Sequence, residues 1–438
     1  MNLLLINHYA GSPQHGMEYR PYYLAREWLR AGHRVQIVAA AYSHVRSRQP
    51  EVGAQPRDER IDGVAYRWLP APAYVGNGIG RVRNLWAFLS RLWREAPRLA
   101  REFAPDVVIA SSTYPLDIWV ARRIARLAGA KLVYEVHDLW PASPIELSGM
   151  SPRHPFIRLC QRAEDDACRD ADTVVSMLPC VAAHLQAHGL DLRKLHIVPN
   201  GIALDEWPGE GDAAGKLPGA ELSPEPGAQS GVRSGVRSGA ELWAQLWAQL
   251  AALKAAGRVV VGYAGAHGLP NALDVLLDAA ALLRDLPVSF VLVGDGHEKL
   301  RLAQRVRDEG LGHVLMFAPV PKAQIPALLQ CFDVAYIGWQ RLPIYRFGIA
   351  PNKLMDYMMA ARPVLHSVEA GNDPVAEAGC GLTVAPESAA AVAGGVRALL
   401  ACTPDERAAM GARGRAFVIA HHSYRVLAQR FIDAVSAR

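Results

Sequence analysis

Hydrophobic residues in the first half of the chain form short β-branched runs, separated by longer stretches in which apolar residues recur every three or four positions. The short runs predict strands, and the longer stretches, such as Pro21–Ala31 and Pro115–Ala128, predict helices. The predicted strands are Leu3–Ile6, Val35–Ala39, Val107–Ala110, Leu132–Val136, Thr173–Met177 and His196–Val198. This alternation predicts a parallel sheet with helices on both faces.

The second half repeats the pattern. Its predicted strands are Val259–Ala264, Val288–Val293, His313–Phe317, Asp333–Ile337, Pro363–His366 and Gly381–Val384. Its predicted helices are Ala272–Arg284, Glu298–Glu309, Lys322–Leu329, Asn352–Ala361, Ala389–Ala401 and Ser423–Ala437. The fold class is therefore α/β, with two doubly wound, Rossmann-like domains whose ligands are expected in a cleft at the C-terminal ends of both sheets.

The expected domain boundaries follow from this pattern and from one change in composition. Residues 1–203 form the first domain, 204–257 a linker and 258–419 the second domain, and the helix at about 420–438 is expected to pack back on the first. Residues 209–239 are rich in Gly, Ser, Pro and Ala, which predicts a flexible surface insertion without a function of its own. The doubled Leu-Trp-Ala-Gln at Leu242–Gln249 predicts a short helix.

Composition limits the classes of protein. A chain of 438 residues, half of them apolar, is globular and too long for one core. The net charge of +5 suits a nucleotide, a pyrophosphate or an anionic membrane surface, but is too small to indicate nucleic acid. Six widely spaced cysteines without a C-x-x-C pair indicate reduced thiols, with neither a disulfide framework nor a zinc site.

The N-terminus predicts a strand and not a signal peptide, because its apolar run stops at Ile6 and no basic segment precedes it. No run of 18 apolar residues occurs, so no membrane-spanning helix is predicted. We expect a cytoplasmic protein that is soluble or peripheral to the membrane.

The loop from Gly11 to Arg20 follows the first strand and precedes a helix that Pro21 opens. Free backbone N–H groups at such a glycine-bearing turn suit a phosphate or a sugar oxygen. Gly16, Glu18 and Arg20 are the candidates on this side, and Arg20 favours an anion. A tight structural turn explains the same residues equally well.

His137 and Asp138 close the fourth predicted strand and are expected at the C-terminal edge of the sheet. A histidine in this place could bind a sugar hydroxyl or position a reacting group. The alternative is a histidine at a strand end whose nitrogens bond to the backbone.

Two glycine turns follow strands of the second domain directly, with Gly265 and His267 in the first and Gly294 in the second. Glycine at such a turn lets the backbone approach a diphosphate, although β–α loops use glycine routinely. Two such turns in register within one domain strengthen the interpretation.

The segment Arg346–Pro363 holds the largest number of candidate ligands. Pro351 precedes a helix whose first turn carries Asn352 and Lys353, so N–H donors and positive charge meet where a pyrophosphate would bind. Asp356 lies one turn further and could accept hydrogen bonds from ribose hydroxyls, or could simply complement the helix dipole. The methionines of this helix are expected in the core.

One predicted helical stretch of the first domain combines basic and aromatic residues. Such a stretch suits an anionic membrane surface, although a solvated helix with its aromatic residues in the core is equally consistent. The residues are Arg81, Arg83, Trp86, Phe88, Arg91, Trp93, Arg94, Arg98 and Arg101.

Several of these motifs together resemble the retaining glycosyltransferases of the GT-B fold, of the family 4 type. The similarity is greatest to bacterial surface-polysaccharide enzymes such as the fucosamine transferases of O-antigen assembly, and it covers nearly the whole chain apart from the insertion. The motifs are Asn7–Pro13, Gly32–Val35, Glu135–Pro141, Val198–Gly201, Gly262–Gly265, Val293–Gly296 and Pro351–Leu354.

The resemblance implies roles for individual residues. His137 matches the histidine that contacts the transferred sugar, and Gly16 falls near the acceptor and the donor phosphate. The loop 264–268 and the backbone of Val320 line the nucleotide pocket, and Asp356 matches the ribose ligand.

The chain departs from the family's pattern at two places. Gly348 stands where the first Glu of the E-x7-E pair is usual, and Ala266 and His267 stand where an Arg and a Lys usually hold the diphosphate. Arg346 and Lys353 are therefore expected to supply the missing charge.

The implied reaction transfers a sugar from a nucleotide-sugar, UDP being the expected nucleotide, to a polyprenyl-pyrophosphate-linked saccharide in lipopolysaccharide, O-antigen or capsule synthesis. It proceeds with retention, without a metal or another cofactor, at the inner face of the inner membrane. A nucleotide-sugar 2-epimerase of the same fold and a non-enzymatic two-lobed sugar-nucleotide-binding protein are the alternatives. The absence of a three-glycine fingerprint disfavours a dehydrogenase.

Overall fold

The computed structural model describes residues 1–16, 18–76, 78–207 and 239–437, without the side chains of 239–242. The chain packs into two compact units. Unit 1 comprises Met1–Ala203, Leu342–Ala350 and His421–Arg438, and unit 2 comprises Leu204–Arg341 and Pro351–Ala420. The insertion expected at 209–239 lies outside the described residues except for its last position.

Fourteen strands occur within these described ranges. They are β1 (Asn2–Ile6), β2 (Arg34–Ala40), β3 (Arg57–Ile61), β4 (Val64–Leu69), β5 (Val107–Ala110), β6 (Lys131–Val136), β7 (Thr173–Ser176), β8 (Leu195–Ile197), β9 (Val259–Ala264), β10 (Val288–Val293), β11 (Val314–Phe317), β12 (Val334–Gly338), β13 (Val364–Ser367) and β14 (Gly381–Val384).

The helices pack on the faces of the sheets. They are α1 (Arg20–Arg30), α2 (Ile79–Arg98), α3 (Ile118–Ala128), α4 (Ala142–Ser148), α5 (Pro155–Asp170), α6 (Ala182–Ala187), α7 (Gly239–Ala255), α8 (Leu273–Ala281), α9 (Lys299–Asp308), α10 (Ile325–Gln330), α11 (Asn352–Met359), α12 (Pro374–Ala378), α13 (Ala389–Ala401), α14 (Pro404–His422) and α15 (Tyr424–Ser436). None of the helices in the described ranges has the length and apolar character needed to traverse a lipid bilayer.

Unit 1 is built on an eight-stranded sheet in the order β3-β4-β2-β1-β5-β6-β7-β8, parallel except for β3. Residues Leu4 and Ile6 of its central strand face one apolar cluster, whereas Leu3 and Leu5 face another on the opposite side. A strand that is buried on both faces needs an uninterrupted apolar run, which explains the sequence of β1. Helix α15 packs on α1 against the second of these clusters.

Unit 2 is built on a six-stranded parallel sheet in the order β11-β10-β9-β12-β13-β14. Numbered within the unit, this is the order 3-2-1-4-5-6 of dinucleotide-binding folds, in which the direction of winding reverses beside the first strand. Ligands of such sheets bind beyond the carboxyl ends of the strands at this reversal. The reversal falls between β9 and β12, next to the glycine turn after β9.

The predicted fold class is confirmed, since both units are doubly wound α/β structures. Hairpin β3–β4 was missed, because β3 is charged and exposed and has no apolar alternation. The Asp62-Gly63 pair between its strands is the turn signal that could have revealed it. The long helix α14 was also missed; its apolar residues follow no clear helical stripe.

One boundary needs correction. Residues Leu342–Ala350 were expected in the second domain, but they pack with unit 1. Ile344 and Phe347 are buried in its core, and the backbone N–H of Cys180 donates to the carbonyl oxygen of Phe347 at 3.0 Å. Helix α7 and the preceding Leu204–Glu206 turn, expected in a linker, belong to unit 2.

Candidate active site

The parallel strands β1, β5 and β6 of unit 1 end side by side, and the residues that follow them meet at this edge. Asn7 follows β1, Ser111 follows β5 and His137 follows β6. The amide group of Asn7 donates to the carbonyl oxygen of Ser111 at 2.6 Å and so fixes one loop to the next.

A buried ion pair lies at the centre of this edge. Nε of Arg20 donates to Oε1 of Glu135 at 2.9 Å, and both side chains are almost fully buried. The other guanidinium nitrogens donate to the carbonyl oxygens of Val198 and Pro199. Burial raises the pKa of Glu135, but Arg20 and His137 outweigh burial and lower this pKa to about 2. Glu135 is therefore a carboxylate at any physiological pH.

This carboxylate determines the tautomer of His137. The Ser111 hydroxyl donates its only hydrogen to Oε2 of Glu135 at 2.6 Å. Nε2 of His137 lies 2.9 Å from the same hydroxyl oxygen and 3.2 Å from Oε2, so it must carry the hydrogen. In the neutral ring the lone pair is consequently on Nδ1, where it can accept a hydrogen bond from a sugar hydroxyl.

Among the predicted acceptor-side residues, Glu18 feels the charges of the network. Burial raises the pKa of its carboxyl, and His137 and Arg20 act on this pKa in the opposite direction. Gly16 adopts φ +76° beside Ser47, whose Oγ would lie 2.5 Å from an added Cβ, so the turn there requires glycine.

Two expectations on this side are corrected. Arg20 was expected to attract an anion, but its guanidinium is buried and bonded to Glu135 and to backbone carbonyls. Asp138 was expected to face the acceptor, but its carboxylate accepts hydrogen bonds from the Leu139 N–H and the Ser143 hydroxyl. It therefore shapes the turn into α4.

In unit 2 the two glycine turns interlock. The backbone N–H of Gly265 donates to the carbonyl oxygen of Val293, and the N–H of His267 donates to that of Asp295. A Cβ on Gly294 would lie 1.8 Å from the carbonyl oxygen of Gly265, so only glycine allows this approach.

Lys353, in the first turn of α11, reaches these loops. Its Nζ donates to the hydroxyl of Tyr263 at 2.9 Å and to Oδ1 of Asn271 at 2.6 Å, and it lies over the Tyr263 ring. A Cβ on Gly265 would lie 3.2 Å from this nitrogen. Burial lowers the pKa of Lys353 to about 7. Within the described ranges no carboxylate contacts Lys353, so its charge has only neutral partners.

The other predicted donor ligands of unit 2 differ in exposure. Asn352 is exposed at the start of α11, and Val320 is partly exposed in the loop after β11. Burial raises the pKa of the Asp356 carboxyl to about 7, near the exposed Lys322–Glu206 ion pair.

The expectation for His267 is corrected. Its ring is fully buried, and burial lowers its pKa to about 4. Within the described part of the chain neither ring nitrogen has a hydrogen-bond partner. The residue therefore holds the loop through its backbone and offers no accessible side chain to a ligand.

Arg346 and Gly348 were expected in the second domain, but both belong to unit 1. Arg346 donates to both carboxylate oxygens of Glu146, at 2.7 and 2.8 Å, which neutralises its charge. Gly348 adopts φ +92° at the end of the short turn Pro343–Phe347. Of the two basic residues expected at the diphosphate, only Lys353 lacks an acidic partner among the described residues.

Several residues of these networks were not predicted as site residues, among them Ser111, Glu135, Tyr263 and Asn271. Glu135 could have been found, because a carboxylate two positions before a strand-end histidine points to the same face of the strand's end. Ser111 and Asn271 follow strands in undistinguished loops, and only the fold brings them to their partners.

Known protein families match both units. Residues 15–201 match the glycosyl transferase 4-like domain, and residues 258–402 match the glycosyl transferases group 1. A protein of Escherichia coli strain K12 named as a colanic acid biosynthesis glycosyl transferase, WcaI, is 23% identical over 386 residues, which cover 85% of this chain and 86% of that protein.

Solved structures share the fold over the whole length. Sucrose-phosphate synthase from Thermosynechococcus elongatus superposes with a TM-score of 0.69 at 16% identity and covers 99% of this chain and 98% of its own. HepE from Anabaena, solved with UDP and glucose, superposes with a TM-score of 0.63 at 16% identity over all of both chains. With a matching family domain in each unit, the chain belongs to the glycosyltransferases of the GT-B fold.

Proposed function

We propose that this glycosyltransferase moves a sugar from a UDP-sugar to a lipid-linked saccharide in the synthesis of a surface polysaccharide such as O-antigen or capsule, with retention at the anomeric carbon and without a metal. The observation that carries the proposal is the partly buried Lys353, which lies beside two interlocked glycine turns and has no carboxylate among its described contacts. We take the polysaccharide pathway from the name of WcaI, and UDP as the nucleotide from the ligand of HepE.

The diphosphate is the part of the donor that Lys353 suits. The leaving nucleoside diphosphate gains negative charge as the glycosidic bond breaks, and fixed donors stabilise this charge most strongly where water is excluded. Lys353 and the N-terminal N–H groups of α11 are such donors. Because its present partners are neutral, Lys353 can turn to an anion without leaving a carboxylate unpaired.

His137 would hold the transferred sugar. Its ring is fixed through Ser111 and Glu135, and its Nδ1 is left to accept a hydroxyl hydrogen. In this role the residue acts on the orientation of the sugar more than on the binding of the nucleotide.

Donor identity is tested by thermal shift with UDP-, GDP- and dTDP-sugars at equal concentrations, since the ligand that binds most tightly raises Tm most. We expect UDP-sugars to give the largest shift.

His137→Ala should lower kcat about 100-fold and change the donor Kd little. Full turnover of this variant would remove the role of His137, and turnover of the donor to an epimer without acceptor would indicate the epimerase.

An exposed apolar stripe on α2 supports the lipid-linked acceptor. Ile79, Val82, Trp86 and Trp93 lie on one side of this helix and are all exposed, Trp86 to 71%. Arg83 and Arg94 flank them. The basic and aromatic stretch expected here is thus partly exposed and partly in contact with the rest of unit 1, because Phe88 is fully buried and Arg81 donates to the hydroxyl of Tyr9.

A helix with exposed aromatic residues and flanking arginines binds an anionic interface by apolar insertion and charge attraction. We expect the protein to float with vesicles that contain phosphatidylglycerol, and Trp86→Ser with Ile79→Ser to abolish flotation. Leu300→Ser is the matched control, because Leu300 is an 85% exposed apolar residue of unit 2. No flotation of the wild type would exclude this membrane surface.

A further inference from the structure

Two histidines and a carboxylate meet in unit 1 outside the networks described above. His184 on α6 and His188 just after it are four residues apart and therefore lie on one side of the helix. Glu164 on the neighbouring α5 faces them. Ligand atoms of all three residues lie within 4.8 Å of one another. From this arrangement we propose that the cluster binds a divalent transition-metal ion such as Zn²⁺.

Two further polar side chains, Asp165 and Gln161, converge on the cluster. Nδ1 of His188 lies 2.8 Å from Oδ1 of Asp165, and Nε2 of Gln161 lies 2.9 Å from each of these two atoms. The same Gln161 nitrogen also lies 2.9 Å from Oε2 of Glu164, so its two hydrogens can go to the two carboxylates.

With a hydrogen on Nδ1, His188 donates to Asp165. A divalent cation can take the place of such hydrogens, because the imidazole nitrogens and the carboxylate oxygens all have electron pairs that they can donate to it.

The ligand types select the metal. Two imidazole nitrogens with one or two carboxylate oxygens suit Zn²⁺ and its first-row neighbours, whereas Mg²⁺ and Ca²⁺ prefer oxygen alone. Tetrahedral Zn²⁺ with bonds of about 2.0–2.2 Å places its ligand atoms about 3.4 Å apart. Nε2 of His184 and Oε1 of Glu164 are 3.0 Å apart at present, so small side-chain rotations complete the site.

The burial of the ligands agrees with a metal that enters from solvent. Glu164 is fully buried, His184 is 15% exposed and His188 is 26% exposed. The more exposed Asp165 can supply a fourth ligand, or water can occupy that position. Gln161 would then bond to the free oxygen of Glu164 and orient it, as partners of metal-bound carboxylates do.

The position of the cluster suggests what the metal does. It would join α5 to α6, and the ring of His184 meets the ring of Phe347 edge-on at 5.2 Å. Phe347 belongs to the segment Leu342–Ala350, which returns to unit 1 from the other half of the chain. Metal binding would thus stabilise the attachment of this segment, independently of sugar transfer.

The test is a Zn²⁺ titration of the full chain after treatment with EDTA, with a chromophoric chelator as competitor. We expect one tight site in the wild type, and at least a 100-fold loss of affinity in His184→Ala with His188→Ala. His196→Ala is the matched control, because His196 is a partly exposed histidine of the same unit, on strand β8, and should keep the site. Co²⁺ should give the visible bands of tetrahedral coordination in the wild type and in this control only.

Circular dichroism establishes whether the double variant is folded. If it is not, the single change His188→Gln, at the more exposed ligand, should still weaken Zn²⁺ at least tenfold and remove the rise in Tm that Zn²⁺ gives the wild type. Equal Zn²⁺ affinity in the wild type and the histidine variants, or no tight site in the wild type, would overturn the proposal. Neither result depends on the donor or the acceptor.

Discussion

Each of the two units holds a basic side chain beyond the ends of its strands, almost fully buried in unit 1 and partly buried in unit 2, but the two side chains have different partners. In unit 1 Arg20 is paired with Glu135 and with backbone carbonyls. In unit 2 Lys353 donates to the neutral groups of Tyr263 and Asn271, and no carboxylate among the described residues contacts it. A buried charge that is already paired holds its surroundings in place, whereas one without a counter-charge favours the arrival of an anion.

The largest expected effect comes from breaking the paired charge. Glu135→Gln leaves Arg20 buried without a counter-ion, which costs about 3–5 kcal/mol of the free energy of unfolding when a buried pair loses one partner. Urea denaturation at pH 7 measures this loss. Glu102→Gln is the control, because Glu102 and its partner Arg98 are both exposed residues of the same unit. This variant should leave the urea midpoint unchanged. Equal urea midpoints for both variants would mean that the buried ion pair does not stabilise this edge of the sheet.

The reverse is expected for the charge without a counter-ion. Lys353→Met should leave the stability unchanged or raise it, because no carboxylate in the described part of the chain loses its partner. It should weaken the binding of UDP by about 10- to 100-fold, which corresponds to the loss of a hydrogen bond to a charged group of about 1.5–3 kcal/mol. Calorimetry measures the binding, and Lys254→Met, which removes an exposed lysine of the same unit, is the control. An unchanged Kd and donor KM in Lys353→Met would remove the proposed diphosphate site.

The sequence predicts those features that local packing requires. The strands could be predicted because burial on both faces requires apolar runs such as β1, and the glycine turns could be predicted because close backbone approach requires Gly265 and Gly294. Lys353 was found because a proline followed by a basic residue marks a helix start suited to an anion.

What could not be predicted are the long-range partners. Glu135 cancels the charge of Arg20 across 115 residues, and Glu146 cancels that of Arg346 across 200. No local pattern contains either pair, so both arginines looked available for a ligand. The spacing of His184 and His188 was visible in the sequence, but their carboxylate partner lies 20 residues earlier, on another helix.

Stability and UDP binding should both depend on pH through Lys353. The pKa of Lys353 falls from its ordinary 10.5 to about 7, so between these values the unfolded chain holds a proton that the folded chain has lost. The stability contributed by this residue therefore rises as the pH goes from 7 to 10, while UDP binding weakens by up to tenfold per pH unit because the charge is lost. Both slopes should be absent in Lys353→Met, measured beside the wild type at pH 7–9. If UDP affinity falls equally with pH in both proteins, the pH dependence arises from groups other than Lys353.

The smallest effect is expected at Arg346, which is paired like Arg20 but at the surface. Its partner Glu146 is part-exposed, and a solvent-screened pair of this kind contributes less than about 1 kcal/mol to stability. Arg346→Ala should accordingly shift the urea midpoint little and leave the Kd for UDP within twofold of the wild type. Glu146→Gln separates the two possible causes of any change, because it frees the arginine without removing it. A tenfold loss of UDP affinity in Arg346→Ala, with a gain in Glu146→Gln, would mean that Arg346 exchanges Glu146 for the donor, and that the second unit does not hold the diphosphate charge alone.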